Sequence, residues 1–207
     1  VNIVFMGTPD FAVPCLKALL DAGYRVTGVF TQPDKPKGRG YQLAAPPVKE
    51  LALTHGIPVF QPQKMKNNPE ALEQQKQCKA DLLVTVAYGK ILPKEMLALP
   101  PLGCINVHAS LLPKYRGPGP IQWSVINGET EAGVTTMYMA EGVDTGDMLE
   151  KASLPIGENE TADELHDRLA QLGAQLLLST VAKAEAGTLT PVPQDDSLAT
   201  HAPMLDK

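Results

Sequence analysis

Residues 81–87, with the sequence DLLVTVA, constrain the fold of this chain more than any other stretch. Their apolar side chains do not alternate with polar ones, so the strand that they predict must be covered on both faces. Coverage on both faces is typical of a parallel sheet with helices on each side. The stretch therefore predicts an α/β protein with an open, mostly parallel, Rossmann-like sheet.

The segments around this stretch repeat the same alternation of strand and helix. Strands are predicted by the β-rich runs at residues 1–6, 26–30, 57–60 and 103–108. Helices are predicted at residues 10–20, at 48–55, and from Asn68, which precedes a proline suited to the first helical position. Residues 31–40 are rich in turn formers and carry three positive charges, so we expect an exposed loop there.

The pattern changes after about Gly133. Residues 134–139 and 148–152 predict two strands joined by a hairpin-like connection, which favours antiparallel pairing near the C-terminal edge of the sheet. Thr161 and Glu164 have the spacing of a capping box, and they predict a long helix that ends near Gly187. We expect one domain over residues 1–187. The proline-rich residues 188–207 predict the start of a linker to a C-terminal domain that is absent from this chain.

Composition excludes several classes of protein. No apolar run approaches the roughly 18 residues of a membrane span and no signal peptide is apparent, which predicts a cytoplasmic protein without a membrane partner. The three cysteines lack metal-ligand spacing, so we expect buried free thiols and no metal. A net charge of −5 disfavours DNA binding, and any RNA contact must be local. A monomer is expected.

Two short motifs do not carry the functions that they first suggest. The turn after the first strand, GTPDFA at residues 7–12, has one glycine where a dinucleotide-binding turn needs three. Asp144-Thr145-Gly146 is the tripeptide of aspartic proteases, but their chemistry needs two such carboxylates and the chain has one copy.

Asn106 and His108 are the first candidates for chemistry. They lie at the end of a predicted strand, and alternation places both side chains on one face. Ligands of open α/β sheets bind beyond the carboxyl ends of the strands, although the pair could also simply cap the strand end. The next residues, 109–120, mix apolar, basic and rigid side chains and could line the wall of a pocket.

These residues resemble the active site of the folate-dependent formyltransferases. That family combines Asn-x-His, here Asn106 and His108, with Ser-Leu-Leu-Pro, here Ser110 to Pro113, and a later aspartate, here Asp144. Further family-like stretches lie at residues 7–12, 31–40, 86–89, 117–122 and 143–148, so the resemblance spans most of the chain. It implies the formyltransferase fold, and it implies that Asn106, His108 and Asp144 are catalytic.

The resemblance implies a reaction and its partners. A formyl group would pass from 10-formyltetrahydrofolate to a free amino group, with methionyl-tRNA as the expected acceptor. The Asn106 amide would stabilise the oxyanion, His108 would protonate the leaving nitrogen, and Asp144 would support the imidazolium. The folate would contact Tyr88, Gly89, Ile91, Leu92, Ser110, Leu111, Leu112 and Pro113, and the tRNA would contact Lys35, Lys37 and Arg39.

Alternatives remain at this point. Another amine, such as glycinamide ribonucleotide or a sugar nucleotide, could be the acceptor. The chain could also be a folate- or RNA-binding module without catalysis. On the residues alone, a solvated turn is the favoured interpretation of the three basic residues of the 31–40 loop.

Overall fold

The structure, a computed structural model, describes residues 1–37 and 42–205. In chain order its strands and helices are β1 Asn2–Gly7, α1 Val13–Asp21, β2 Arg25–Phe30, β3 Lys35–Lys37, β4 Gln42–Ala44, α2 Pro47–Thr54, β5 Val59–Phe60, α3 Pro69–Gln77, β6 Leu82–Val86, α4 Lys94–Leu97, β7 Cys104–His108, α5 Pro120–Ile126, β8 Glu131–Tyr138, β9 Met148–Pro155 and α6 Ala162–Ala186. These elements form two compact units, Val1–Cys104 and Ile105–Lys207.

The N-terminal unit is built on parallel strands. Pairing of β1 with β2, of β1 with β6, and of β2 with β5 gives the order β5-β2-β1-β6, in which every pair is parallel. All five residues of β6 are buried, as the non-alternating apolar pattern of residues 81–87 predicted. The parallel α/β class is therefore confirmed.

Local signals placed α1, α2 and α3 close to their observed bounds, whereas the short helix α4 was not predicted. Proline occupies the first turn of α1, α2 and α3, where its missing N–H removes no hydrogen bond. Asn68 caps α3, since its side chain accepts a hydrogen bond from the backbone N–H of Ala71. The cysteines are free and buried, as predicted, and burial raises the pKa of the Cys15 thiol to about 12.

The expectation of a plain loop over residues 31–40 was wrong in part. Lys35–Lys37 forms β3 and pairs antiparallel with β4, Gln42–Ala44. Three residues of the sequence Lys-Pro-Lys carry no strand signal, because their pairing depends on the partner strand and not on their own propensity. Proline is tolerated in such a short edge strand.

The C-terminal unit is built on antiparallel strands and one long helix. β8 pairs antiparallel with β7 and with β9, which confirms the predicted change of strand direction. The capping box predicted at Thr161 and Glu164 begins α6, and Gly187, in the left-handed conformation with φ 72°, ends it. Helix α6 packs on β8 and β9, and Gly173 of the helix allows close approach to Val107.

Residues 188–205 lie along the loop between β7 and α5. Val192 pairs with Met148, and the backbone of Arg116 exchanges hydrogen bonds with Thr200 and Ala202. Ala202 is fully buried, and a Cβ at Gly119 would lie 2.6 Å from the carbonyl oxygen of Pro203. We call residues 188–205 the tail. That it leads to a further domain stays a prediction.

Candidate active site

His108 is the last residue of β7, and both of its ring nitrogens face oxygen atoms. Nδ1 lies 3.5 Å from Oδ2 of Asp144, and Nε2 lies 2.8 Å from the carbonyl oxygen of Tyr115. A carbonyl oxygen can only accept, so Nε2 carries a hydrogen and donates it. Only the doubly protonated ring can donate to both oxygens. The His108 and Asp144 side chains are just 9% and 11% exposed, so water screens this pair weakly.

Asp144 is fixed by its own turn, in the connection from β8 to β9. Its backbone is left-handed with φ 55°, and Oδ2 also accepts a hydrogen bond of 2.8 Å from the backbone N–H of Gly117. Gly146 lets the turn lie directly against β8, because a Cβ at this position would overlap the carbonyl of Tyr138. The hairpin therefore carries the carboxylate to the histidine.

Tyr115 is the second left-handed residue that contacts His108, with φ 57°. Its N–H donates to Oγ1 of Thr200 at 2.8 Å, and its hydroxyl donates to Oε1 of Glu129 at 2.7 Å. A left-handed non-glycine residue costs on the order of 1–3 kcal/mol, and such residues cluster at functional sites. Two of them around one histidine therefore support a functional assignment of this site.

Asn106 lies two residues before His108 in β7, opposite Met137 of β8, and is partly exposed. Among the described residues, no hydrogen-bond partner is found for its side chain. Alternation along the strand places the amide on the same face as the imidazole. Its N–H groups can therefore bind a ligand that lies beside the histidine.

Strands β8 and β9 hold the segment Ser110 to Pro113. Oγ1 of buried Thr135 donates to the Ser110 carbonyl at 2.7 Å and accepts from the Leu112 N–H at 3.1 Å. Lys151 donates to the Leu112 carbonyl at 2.5 Å, and burial lowers the pKa of this lysine. The Leu112 side chain is fully buried and belongs to the core, whereas Leu111 and Pro113 are partly exposed.

In the N-terminal unit, three of the family-like stretches meet at Tyr88. Its carbonyl accepts hydrogen bonds from Oγ1 of Thr8 at 3.2 Å and from Nε2 of Gln32 at 3.0 Å. Its ring is buried, the hydroxyl donates to Sδ of Met65, and burial raises the pKa of the phenol. Gly89 is left-handed with φ 82° and contacts Gln32. These bonds fix the backbone at residues 88–89.

The other predicted ligand contacts of this unit differ in exposure. Ile91 is 73% exposed, while Leu92 is buried. Lys35 is exposed and Lys37 lies in β3, whereas Arg39 lies outside the described residues.

A polar cluster that the sequence did not reveal anchors Asp34, the residue directly before β3. Asp34 accepts from Gln61 at 2.7 Å and from Lys49 at 3.1 Å, and these hydrogen bonds lower the pKa of its carboxyl. Lys49 lies in α2 and Gln61 directly follows β5. Two elements thus hold the chain just before Lys35.

Sequence reasoning missed the residues that surround the His108–Asp144 pair. Tyr115 and Gly117 lie in the loop predicted to line a pocket, but nothing in their sequence indicated a bond to either member. Gln194 lies in the tail and donates to the carbonyls of both Asp144 and Gly146. Partners about 50 residues apart leave no local pattern.

Neither a metal-binding cluster nor a membrane-spanning helix is found in the described part of the chain. No group of three or more His, Cys, Asp or Glu side chains that could hold a metal ion is found among residues 1–37 and 42–205. Within the same residues, no helix is both long and apolar enough to cross a membrane.

The α/β fold and the placement of Asn106, His108 and Asp144 in one unit agree with the formyltransferase class that the sequence resemblance implied. The sequence model of the family described as Formyl transferase matches residues 1–181, and the chain belongs to this family.

Among its relatives, the chain is similar to the methionyl-tRNA formyltransferases of Ruminiclostridium cellulolyticum, 58% identical over 207 residues, and Alkaliphilus oremlandii, 56% identical over 207 residues. Both alignments cover all of this chain, which spans 66% of the length of each relative.

Solved structures share the fold at lower identity. Glycinamide ribonucleotide transformylase 1 from Symbiobacterium toebii superposes with a TM-score of 0.76 at 21% identity, covering 94% of each chain. The N-formyltransferase from Helicobacter canadensis, in complex with folinic acid and dTDP-3-aminofucose, gives a TM-score of 0.73 at 20% identity and covers 98% of this chain and 71% of its own. At such identities the likeness establishes the fold alone.

Proposed function

We propose that this chain carries the active site of a methionyl-tRNA formyltransferase, which formylates the amino group of methionyl-tRNA for initiation of translation in the cytoplasm. The observation that carries the proposal is the 58% identity over the whole chain to an enzyme of that name. The His108–Asp144 pair supports it, because formyl transfer needs a group that can deliver a proton.

The reaction is an acyl transfer. The substrate 10-formyltetrahydrofolate supplies the formyl group: the acceptor amine attacks its carbon and loses a proton, the bond from that carbon to the folate nitrogen breaks, and the folate nitrogen gains a proton. An α-amino group is partly deprotonated near neutral pH, so it needs positioning more than a strong base. Accordingly, we assign no nucleophilic side chain.

We assign stabilisation of the oxyanion to Asn106 and donation of the proton to His108. The Asn106 amide has donors free to bind the oxygen on which negative charge develops. The imidazole can give up a proton when a substrate atom replaces the Tyr115 carbonyl as partner of Nε2. The Asp144 carboxylate stabilises positive charge on the ring during the reaction and accepts, through water, the proton that the attacking amine loses.

Contacts with the two substrates complete the proposal. For the folate we propose Tyr88, Gly89, Ile91 and Leu92 together with Ser110, Leu111, Leu112 and Pro113. For the tRNA we propose Lys35, Lys37 and Arg39. The exposure of Ile91 and Lys35 supports their roles, since an exposed side chain can meet a ligand without rearrangement of the core. We further propose that the protein acts as a monomer.

The test is transfer of labelled formyl from 10-formyltetrahydrofolate to methionyl-tRNA. The chain is assayed alone and joined to the C-terminal third of the Ruminiclostridium cellulolyticum relative. We expect transfer that His108→Ala abolishes and Asn106→Ala lowers by about 10²–10³-fold, the usual cost of one oxyanion donor. His55→Ala, at an exposed histidine, is the matched control and should be fully active.

Absence of transfer by both forms would overturn the proposal. The same assay would then be repeated with glycinamide ribonucleotide and with a dTDP-linked amino sugar. Folate binding without transfer to any of these amines would indicate a binding module instead.

A further inference from the structure

The side chain of Gln194, in the tail, bridges the two segments that contact His108. Its amide nitrogen donates two hydrogen bonds of 2.8 Å, to the carbonyls of Asp144 and Gly146. Its amide oxygen accepts from Nε of Arg116 at 3.0 Å and from Nη2 at 2.8 Å. All of the strong hydrogen-bonding capacity of this side chain is therefore directed at these two segments.

Arg116 is unusual for an arginine, because only 6% of it is exposed. Apart from Gln194, its guanidinium donates to Oδ1 of Asp196 at 2.7 Å, and that carboxylate belongs to the tail as well. A buried charge is costly unless its hydrogen bonds are satisfied. Because both partners come from the tail, the tail fixes where the Arg116 side chain can lie.

The neighbours of Arg116 make the contacts that define the His108–Asp144 pair. The carbonyl of Tyr115 binds Nε2 of His108, and the N–H of Gly117 binds Oδ2 of Asp144. A shift of Arg116 would therefore move both contacts, and a shift of the Asp144 turn would move the carboxylate itself. Gln194 joins the Arg116 segment to the Asp144 turn.

We propose that Gln194 is a positioning residue for formyl transfer, which holds the Asp144 turn and the Arg116 segment at the separation that keeps Asp144 beside His108. It touches neither reacting atoms nor the imidazole. The inference rests on the proposed transferase function, which names His108 and Asp144 as the reacting pair. Because misplacement by about 1 Å can cost about 10²-fold in rate, a side chain that acts only through position can still matter greatly.

Kinetics of Gln194→Ala provide the first test. We expect kcat to fall about 10- to 100-fold while KM for either substrate changes less than threefold. Gln194→Glu keeps an acceptor for Arg116 but loses both donors to the turn, so we expect a similar loss of kcat. The matched control is Gln75→Ala, which removes a buried glutamine that donates to the Met96 carbonyl in the N-terminal unit. It should lose stability and keep its kcat.

A double-mutant cycle separates positioning from simple destabilisation. If Gln194 acts through Asp144, Gln194→Ala should lower kcat less than threefold in an Asp144→Asn background. Additive losses in the double mutant, or a kcat within twofold of wild type in the single mutant, would overturn the proposal.

Nuclear magnetic resonance of the ring nitrogens of His108 provides a readout that needs no turnover. Gln194→Ala should shift the ring-nitrogen signals of His108 in the same direction as Asp144→Asn, while the signals of exposed His55 stay unchanged. Unaltered His108 signals would refute the positioning role even if no acceptor is ever formylated. Failure of the proposed function and failure of this inference are therefore distinguishable.

Discussion

Replacement of Asp144 by asparagine tests how much of the activity depends on the charge beside His108. Asparagine has nearly the same shape, tolerates a left-handed backbone such as the φ of 55° found here, and its oxygen can still accept from the Gly117 N–H. The substitution therefore removes the charge and keeps the turn, so a change in activity reports on electrostatics.

The geometry sets the size of the expected effect. Unit charges 3.5 Å apart, the distance from Nδ1 to Oδ2, attract by about 5 kcal/mol at an effective dielectric constant of about 20. If between half and all of this attraction stabilises the transition state, the rate falls about 50- to 3000-fold, since each 1.36 kcal/mol is about tenfold.

Single-turnover transfer of labelled formyl, with both substrates saturating, measures this loss directly. Asp147→Asn is the matched control, because Asp147 lies in the same connection and is exposed. It should retain full activity. An Asp144→Asn rate within threefold of wild type, with an unchanged midpoint of thermal unfolding, would refute the assignment of Asp144 as the support of the imidazolium.

Two predictions concern stability. Burial alone would raise the pKa of Glu150, but hydrogen bonds from Lys183 and two hydroxyl groups outweigh it and lower that pKa. The carboxylate therefore stabilises the fold above its unfolded pKa of about 4.3, and this stabilisation is lost as the pH falls through the lower folded value. Glu150→Gln should cost about 1–3 kcal/mol in urea unfolding at pH 7 and progressively less as the pH falls below about 4.3, and a cost independent of pH would contradict this account. Gly119→Ala places a Cβ 2.6 Å from the Pro203 carbonyl oxygen, so it should destabilise the protein by about 1–3 kcal/mol and speed proteolysis of the tail. Gly157→Ala is the control, because its Cβ would have its nearest neighbour at 3.6 Å and should cause neither effect. Equal proteolysis rates for the two variants would argue against the close approach at Gly119.

The sequence predicted those parts of the fold whose signals are local. The non-alternating apolar pattern of residues 81–87 indicated a strand covered on both faces, and the capping box at Thr161 located the start of a 25-residue helix. Such patterns depend on neighbours within one turn or one strand. They fail for β3, whose pairing with β4 is decided by contact between two short segments.

The candidate site, like the fold, was predicted only where its residues follow a local pattern. Alternation alone places Asn106 and His108 on one face of β7, whereas Asp144 came into the prediction only through the family resemblance. In the structure, the hairpin from β8 to β9 brings Asp144 to His108, and no sequence pattern specifies its register. Gln194 had no signal at all, because its role depends on contacts that form only after the chain has folded.

The contacts made by the tail also determine the order in which the site can assemble during synthesis. The bond from Arg116 to Asp196 and the bond from Trp123 to the Pro203 carbonyl each join residues 80 positions apart. At about 5–20 residues per second, a ribosome would add these partners roughly 4–16 s after the loop that they hold. In a nascent chain, His108 therefore emerges well before the residues that fix its neighbours. Asp144 likewise precedes Gln194, the tail residue that binds its turn, by 50 positions.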